Sequence, residues 1–234
     1  MVALVILPGM DGTAKPRADF AAALGSGIET RVVAYPPDPA LGYAEIEALA
    51  RASLPTDRPY VLLGESFSGP IAISIAASRP PHLVGLILCV TFARNPLPLL
   101  GSPWLLPLLP FGLAPKRVIN AFLLGRFATA PLIESVRATF NEVPPETFKA
   151  RLGAVARCDA RRALANLRVP LLYLRATRDR LVPRRCAEAM AQIATHMRIV
   201  DIEAPHTLLQ VKPAAAAAAV KSFIDTLPAT AARR

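Results

Sequence analysis

The chain reads as an α/β protein: a doubly wound, mostly parallel sheet of about six strands with a small inserted helical cap. Three observations lead there. Short apolar runs recur in the N-terminal part, nearly continuous, as in strands covered on both faces. Helical patterns alternate with them. After Val90 the alternation stops in a stretch of proline-broken leucines, and it resumes at Leu171.

Val2–Leu7 is the first strand, ended by Gly9. Arg17–Leu24 is a helix that stops at Gly25 and Gly27. Arg31–Tyr35 is a short strand closed by Pro36-Pro37, and Tyr43–Leu54 a helix with Ile46 and Leu49 on one side. Tyr60–Leu63 is a strand, Gly69–Ala77 a helix and Leu83–Val90 another strand. Helices are expected near Pro115–Leu124, Pro131–Phe140 and Pro145–Val155. The strand Leu171–Leu174, helix Arg184–Ala194, strand Arg198–Ile202 and helix Pro213–Leu227 complete the pattern. The run Ala214–Ala219 is helix former, not linker. Residues 1–91 and 168–234 are thus expected to form the core, with 92–167 inserted as a cap.

A chain of 234 residues, 53% of them hydrophobic, buries one substantial core. Cys89, Cys158 and Cys186 are scattered and odd in number, so neither a disulfide framework nor a metal knuckle is expected. The apolar N-terminus has no basic start and is too short for a signal peptide with its cleavage site. The uncharged stretch Asn95–Pro115, 21 residues, is long enough to span a bilayer, but its prolines would break a helix repeatedly. The expectation is no transmembrane segment and a cytoplasmic location.

The net charge of +10 comes mostly from arginine, with ten arginines between Arg151 and Arg185 opposed by Asp159 and Asp179. A solvated helical face is the plain explanation. A docking surface for an acidic partner, such as an acyl carrier protein or anionic lipid, is the sharper one. No nucleic-acid-binding motif accompanies the charge, and aromatic residues make up only 6%, which argues against nucleic acid.

The most informative segment is Gly64-Glu65-Ser66-Phe67-Ser68-Gly69, directly between a strand and a helix. A serine on such a turn is lifted clear of the backbone, where it can attack a carbonyl. A free hydroxyl is a weak nucleophile, so it needs an imidazole beside it, held in one tautomer by a carboxylate. Of the three histidines, His82 and His196 belong to the opposite end of the sheet. His206 follows a strand at the Ser66 end, where ligands of parallel sheets gather, and is the candidate base. A surface-loop histidine is the competing explanation. Asp179, after another strand at that end, is the candidate orienting acid, against a salt bridge to Arg178, Arg180 or Arg184; Asp201 and Glu203 are weaker candidates. The order Ser66, Asp179, His206 is one known for such triads.

The tetrahedral intermediate carries a negative oxygen that needs donors. The Phe67 N–H starts a helix, where donors are free and the dipole is favourable. The second candidate is the Met10 N–H in the loop Pro8-Gly9-Met10-Asp11-Gly12; the alternative is that Met10 only lines the pocket. Asp11, awkward near an oxyanion, is expected to bond the backbone of its own turn.

Together these segments resemble the α/β-hydrolase superfamily over almost the whole chain: Leu7-Pro8-Gly9-Met10-Asp11-Gly12, the serine turn, Arg178-Asp179-Arg180-Leu181-Val182-Pro183 and Ala204-Pro205-His206. The resemblance implies Ser66 as nucleophile, Asp179 as acid, His206 as base, and the Met10 and Phe67 amides as oxyanion hole. The family turn is Gly-x-Ser-x-Gly; here Ser68 takes the last glycine's place, and Gly69 follows. The lobe after Val90 looks like the small cap of pimeloyl-carrier-protein methyl ester esterases. The implied activity is hydrolysis of a carboxylic ester or thioester with an apolar acyl group, requiring no metal or organic cofactor. Gly9 and Asp11 would border the substrate. Leu97, Trp104, Leu108 and Phe111 would either line an acyl channel or pack the cap. Acyl transfer, peroxide formation or carbon–carbon cleavage on the same fold are alternatives, as is a non-catalytic binding protein.

Overall fold

The structure, a computed structural model, describes residues 2–96 and 121–228. Six strands, β1 (Ala3–Leu7), β2 (Glu29–Val32), β3 (Tyr60–Glu65), β4 (Leu83–Cys89), β5 (Leu171–Ala176) and β6 (Met197–Ile202), form one sheet in the order β2-β1-β3-β4-β5-β6. All its pairings are parallel. The helices lying wholly within the described residues include α1 (Ala18–Leu24), α2 (Tyr43–Ala52), α3 (Gly69–Ala77), α4 (Ala130–Asn141), α5 (Pro145–Arg157), α6 (Arg161–Ala165), α7 (Arg184–Ile193), α8 (Leu208–Val211) and α9 (Pro213–Asp225).

The continuous apolar runs have a simple cause. Successive side chains of β1 point to opposite faces, and both faces are covered. Val5 and Leu7 pack with Ile46 of α2, Ile71 and Ile75 of α3, Leu164 of α6 and Met190 of α7. Leu4 and Ile6 pack on the other side with Phe20 of α1 and with Val220 and Phe223 of α9. Leu62 and Leu63 of β3 are fully buried, one on each face. Each contributes roughly 1.5–3 kcal/mol, which anchors the strand that ends at Ser66. Gly64 lets α3 lie close on β3: a Cβ there would come within 2.6 Å of the Ala72 Cβ.

The second strand differs from the expected Arg31–Tyr35. It runs from Glu29 to Val32, in register Ala3↔Glu29 to Ile6↔Val32. It is the sheet edge, and its residues alternate between exposed and half-buried. Glu29, Thr30 and Arg31 therefore carry no apolar signal. The short helices α6 and α8 were not expected. The expected helix Pro115–Leu124 lies mostly outside the described residues, as do Leu97, Trp104, Leu108 and Phe111. Among the described residues no helix is long and apolar enough to cross a membrane.

The strand order places the site. From β1 the chain crosses to β2 on one side, then returns to β3 on the other. Loops leaving β1 and β3 diverge, and a crevice opens at their C-terminal ends. Ser66 follows β3 there, and Gly9 to Gly12 follow β1.

Candidate active site

Ser66 sits in a left-handed backbone conformation, φ 48°. A side chain there is strained, and such strain persists only where the surroundings impose it. The Ser66 carbonyl accepts from the Gly69 N–H and from the Thr91 hydroxyl. Thr91 is set by Tyr173, whose hydroxyl donates to the Thr91 carbonyl at 2.7 Å and accepts from its N–H at 3.0 Å. The residue before it, Val90, is also left-handed, φ 45°.

The Ser66 Oγ lies 2.8 Å from His206 Nε2, and His206 Nδ1 lies 2.8 Å from Asp179 Oδ2. The other Asp179 oxygen accepts from the N–H groups of Leu181 and Val182 at 2.8 and 2.9 Å. With Nδ1–H donated to Asp179, Nε2 is left to accept from the serine hydroxyl. His206 is buried, which by itself pulls its pKa down; the Asp179 charge and hydrogen bond, aided by Glu65, outweigh this and leave it above 6.5. The arginines near Asp179 bond elsewhere: Arg178 to Glu203, Arg184 to Glu188 and Arg180 to the Ala121 carbonyl. Asp201 pairs with Arg175 at 2.5 Å.

The Met10 and Phe67 N–H groups are oriented from behind. A trans peptide points its N–H opposite to its C=O, and no peptide among the described residues is cis. The Gly9 carbonyl accepts from the Gly12 N–H at 3.0 Å, which fixes the peptide carrying the Met10 N–H. The Ser66 carbonyl, held by Thr91, does the same for Phe67. The Phe67 N–H also lies in the first turn of a helical segment, where backbone donors lack a partner within the helix. Gly12 has φ +71°, a turn suited to glycine.

Several residues at the site carried no recognised signal. Arg17, 1% exposed, donates to Glu65 at 2.6 Å and to Asp11 at 2.8 Å, so it joins the β1 exit loop to the residue preceding Ser66. Asp11 also accepts from the Thr13 N–H at 3.0 Å, the local bond expected of it. Burial pushes its carboxyl up, but Arg17 and Thr13 more than offset this and hold it low. Ser68, where the family pattern has glycine, is fully buried and donates to the Pro8 carbonyl. Its one proton is thereby used, so the Tyr35 hydroxyl at 2.8 Å is the donor to it. Arg151 is a correction: counted on a surface stretch, it is 0% exposed and bonds the Met10 carbonyl at 2.6 Å. The sequence signal available for Arg17, Glu65 and Arg151 was only that of charges inside apolar patterns.

A cavity of about 570 Å³ opens over Ser66 and His206. Gly9, Met10 and Asp11 border it, and its walls include Leu132, Val136, Phe140, Phe148 and Leu152 of the β4–β5 insertion. A mainly apolar recess of this size suits a small-molecule site. Among the described residues no group of His, Cys, Asp and Glu gathers in a way that could hold a metal ion.

Comparison with solved structures shows the same fold under several names. The enol-lactonase from Burkholderia xenovorans LB400 is 18% identical, with a TM-score of 0.76 over 96% of this chain and 92% of that one. An esterase from Thermogutta terrifontis is 22% identical, with a TM-score of 0.77 over 96% and 90%. A bromoperoxidase from Bacillus anthracis is 12% identical, with a TM-score of 0.79 over 96% and 92%. Among curated proteins, a pimeloyl-[acyl-carrier protein] methyl ester esterase from Xanthomonas oryzae pv. oryzae is 32% identical over 162 residues, 62% of each chain. The biotin biosynthesis bifunctional protein BioHC from Cellvibrio japonicus is 27% identical over 188 residues, 71% of this chain and 36% of that protein. The matches thus span less than two thirds of these curated relatives. The alpha/beta hydrolase family matches residues 4–220, a span that takes in Ser66, Asp179, His206 and the loop after β1; the chain belongs to that family.

Proposed function

We propose that the chain hydrolyses a carboxylic ester or thioester through an acyl-enzyme on Ser66. The observation that carries this reading is the unbroken hydrogen-bonded line from Ser66 Oγ through His206 to Asp179, each link 2.8 Å long. His206 Nε2 takes the serine proton as Oγ attacks the acyl carbon. Asp179 stabilises the imidazolium that forms. The developing oxyanion rests on the Met10 and Phe67 amides. His206 then gives its proton to the departing alcohol or thiol. Water, activated by the same imidazole, attacks the acyl-enzyme, and the carboxylic acid leaves.

The insertion, residues 92–167, acts in this reading as a cap that sets specificity. Its described part supplies Leu132, Val136, Phe140, Phe148 and Leu152 to the cavity, which supports an apolar acyl group. The likeness to proteins named pimeloyl-[acyl-carrier protein] methyl ester esterase supports a carrier-bound ester or thioester as the more specific substrate. Arg157, Arg162 and Arg168 are exposed and pair with no carboxylate among the described residues, which supports an acidic carrier as partner.

Rates on p-nitrophenyl esters and acyl thioesters of graded chain length, free and carrier-bound, test the reading. Short to medium chains are expected to be preferred, because the cavity is only about 570 Å³. A strong preference for sixteen carbons or more contradicts the assignment of specificity, and no hydrolysis of any member contradicts the activity.

A further inference from the structure

Arg151 projects from α5, in the β4–β5 insertion, and is fully buried. Two carbonyls hold it: Nη1 donates to Met10 at 2.6 Å and Nη2 to Pro36 at 2.8 Å. Its Nε is buried without a hydrogen-bond partner. Its guanidinium carbon lies 6.0 Å from the centre of the Tyr35 ring. Burial pulls its pKa down, and Asp11 and Tyr35 only partly restore it. Burying a cation with one N–H unpaired carries a cost in stability.

The Met10 N–H and the Met10 carbonyl belong to the two peptides flanking one Cα. The first peptide is pinned by the Gly12 N–H on the Gly9 carbonyl. Arg151 holds the second, so both peptide planes next to Met10 carry a hydrogen bond that restrains them. Room for the guanidinium comes from Gly12, where a Cβ would lie 3.0 Å from Nη1. Helix α5 is itself docked on the exit of β2, since the Thr147 hydroxyl donates to the Pro37 carbonyl at 2.8 Å. The same helix presents Phe148 and Leu152 to the cavity.

We propose that Arg151 is a positioning residue for the oxyanion loop, tying the aim of the Met10 N–H to the helix that walls the acyl cavity. The proposal rests on the serine-hydrolase reading above. Seating of α5 and competence of the donor are then one event.

The test compares wild type, Arg151→Met and Arg151→Lys on p-nitrophenyl butyrate, with active sites counted by fluorophosphonate titration. A trifluoromethyl ketone, which forms an oxyanionic adduct with an active serine, reports on the donors directly. For Arg151→Met, kcat per titrated site should fall about 100-fold, the low end of the loss for removing an oxyanion donor, with KM within about twofold. Ketone affinity should fall by the same factor as kcat/KM. Arg151→Lys, which keeps a cation but not the fork, should lose less, about tenfold, and stands alone if the methionine variant does not fold. A merely structural residue would reduce the number of titratable sites and leave kcat per site and ketone affinity unchanged; that result overturns the proposal. A wild type that neither titrates nor turns over overturns the underlying serine-hydrolase reading instead.

Discussion

His206 is pulled in two directions. Burial acts to lower its pKa, and Asp179, by charge and hydrogen bond, raises it by more. In the proposed mechanism the imidazole acts as a base in its neutral form, so activity should appear as pH rises through the His206 pKa. Because the net shift is upward, the midpoint of the acid limb of kcat/KM should lie above 6.5. Asp179→Asn removes both raising influences. Its midpoint should move down, and kcat should drop by about 10⁴-fold through loss of the correct tautomer. A pH–rate profile of the two proteins checks both; an unchanged midpoint in Asp179→Asn contradicts the assignment. At this scale the sequence was most legible where chemistry leaves few options. Of three histidines only one falls at the Ser66 end, and a serine between a strand and a helix is a marked position. Arg17 and Arg151 were not legible, because their partners lie 48 and 141 residues away and no local pattern records such pairings.

At the scale of elements, the turn after β3 is fastened to its neighbours by side chains rather than by glycine alone. Ser68 links the turn to the end of β1 through the Pro8 carbonyl and to Tyr35 beyond β2. Restoring the family glycine should therefore harm this protein. Ser68→Gly strands a buried carbonyl and a buried phenol, at a cost of about 1–3 kcal/mol. For a domain of this size that is a fall in Tm of roughly 2–4 °C per kcal/mol. Thermal unfolding measures it, and an unchanged Tm would show that the hydroxyl's bonds contribute nothing. Strands buried on both faces were readable from apolar runs alone, whereas the edge strand β2 was placed late because water on its outer side permits Glu29, Thr30 and Arg31. The helices α6 and α8, of five and four residues, are too short to display a period.

For the whole molecule, the strand order generates the site. Because the chain winds to opposite sides of β1, the loop after β1 and the turn carrying Ser66 lie side by side, and the last two strands deliver Asp179 and His206 to the same rim. Alternation of elements conveyed the sheet, but the docking of α5 beside the crevice depends on contacts such as Arg151 to Met10 that only the folded chain brings together. Shared architecture does not choose the reaction, since proteins named lactonase, esterase and bromoperoxidase superpose on this one at TM-scores of 0.76 to 0.79. The proposed reading stands on Ser66 as nucleophile. Intact-mass spectrometry after treatment with a fluorophosphonate, followed by peptide mapping, addresses it most directly. One adduct per chain is expected, carried on Ser66 and missing from Ser66→Ala; an unlabelled wild type, or a label that persists in Ser66→Ala, contradicts a nucleophilic Ser66.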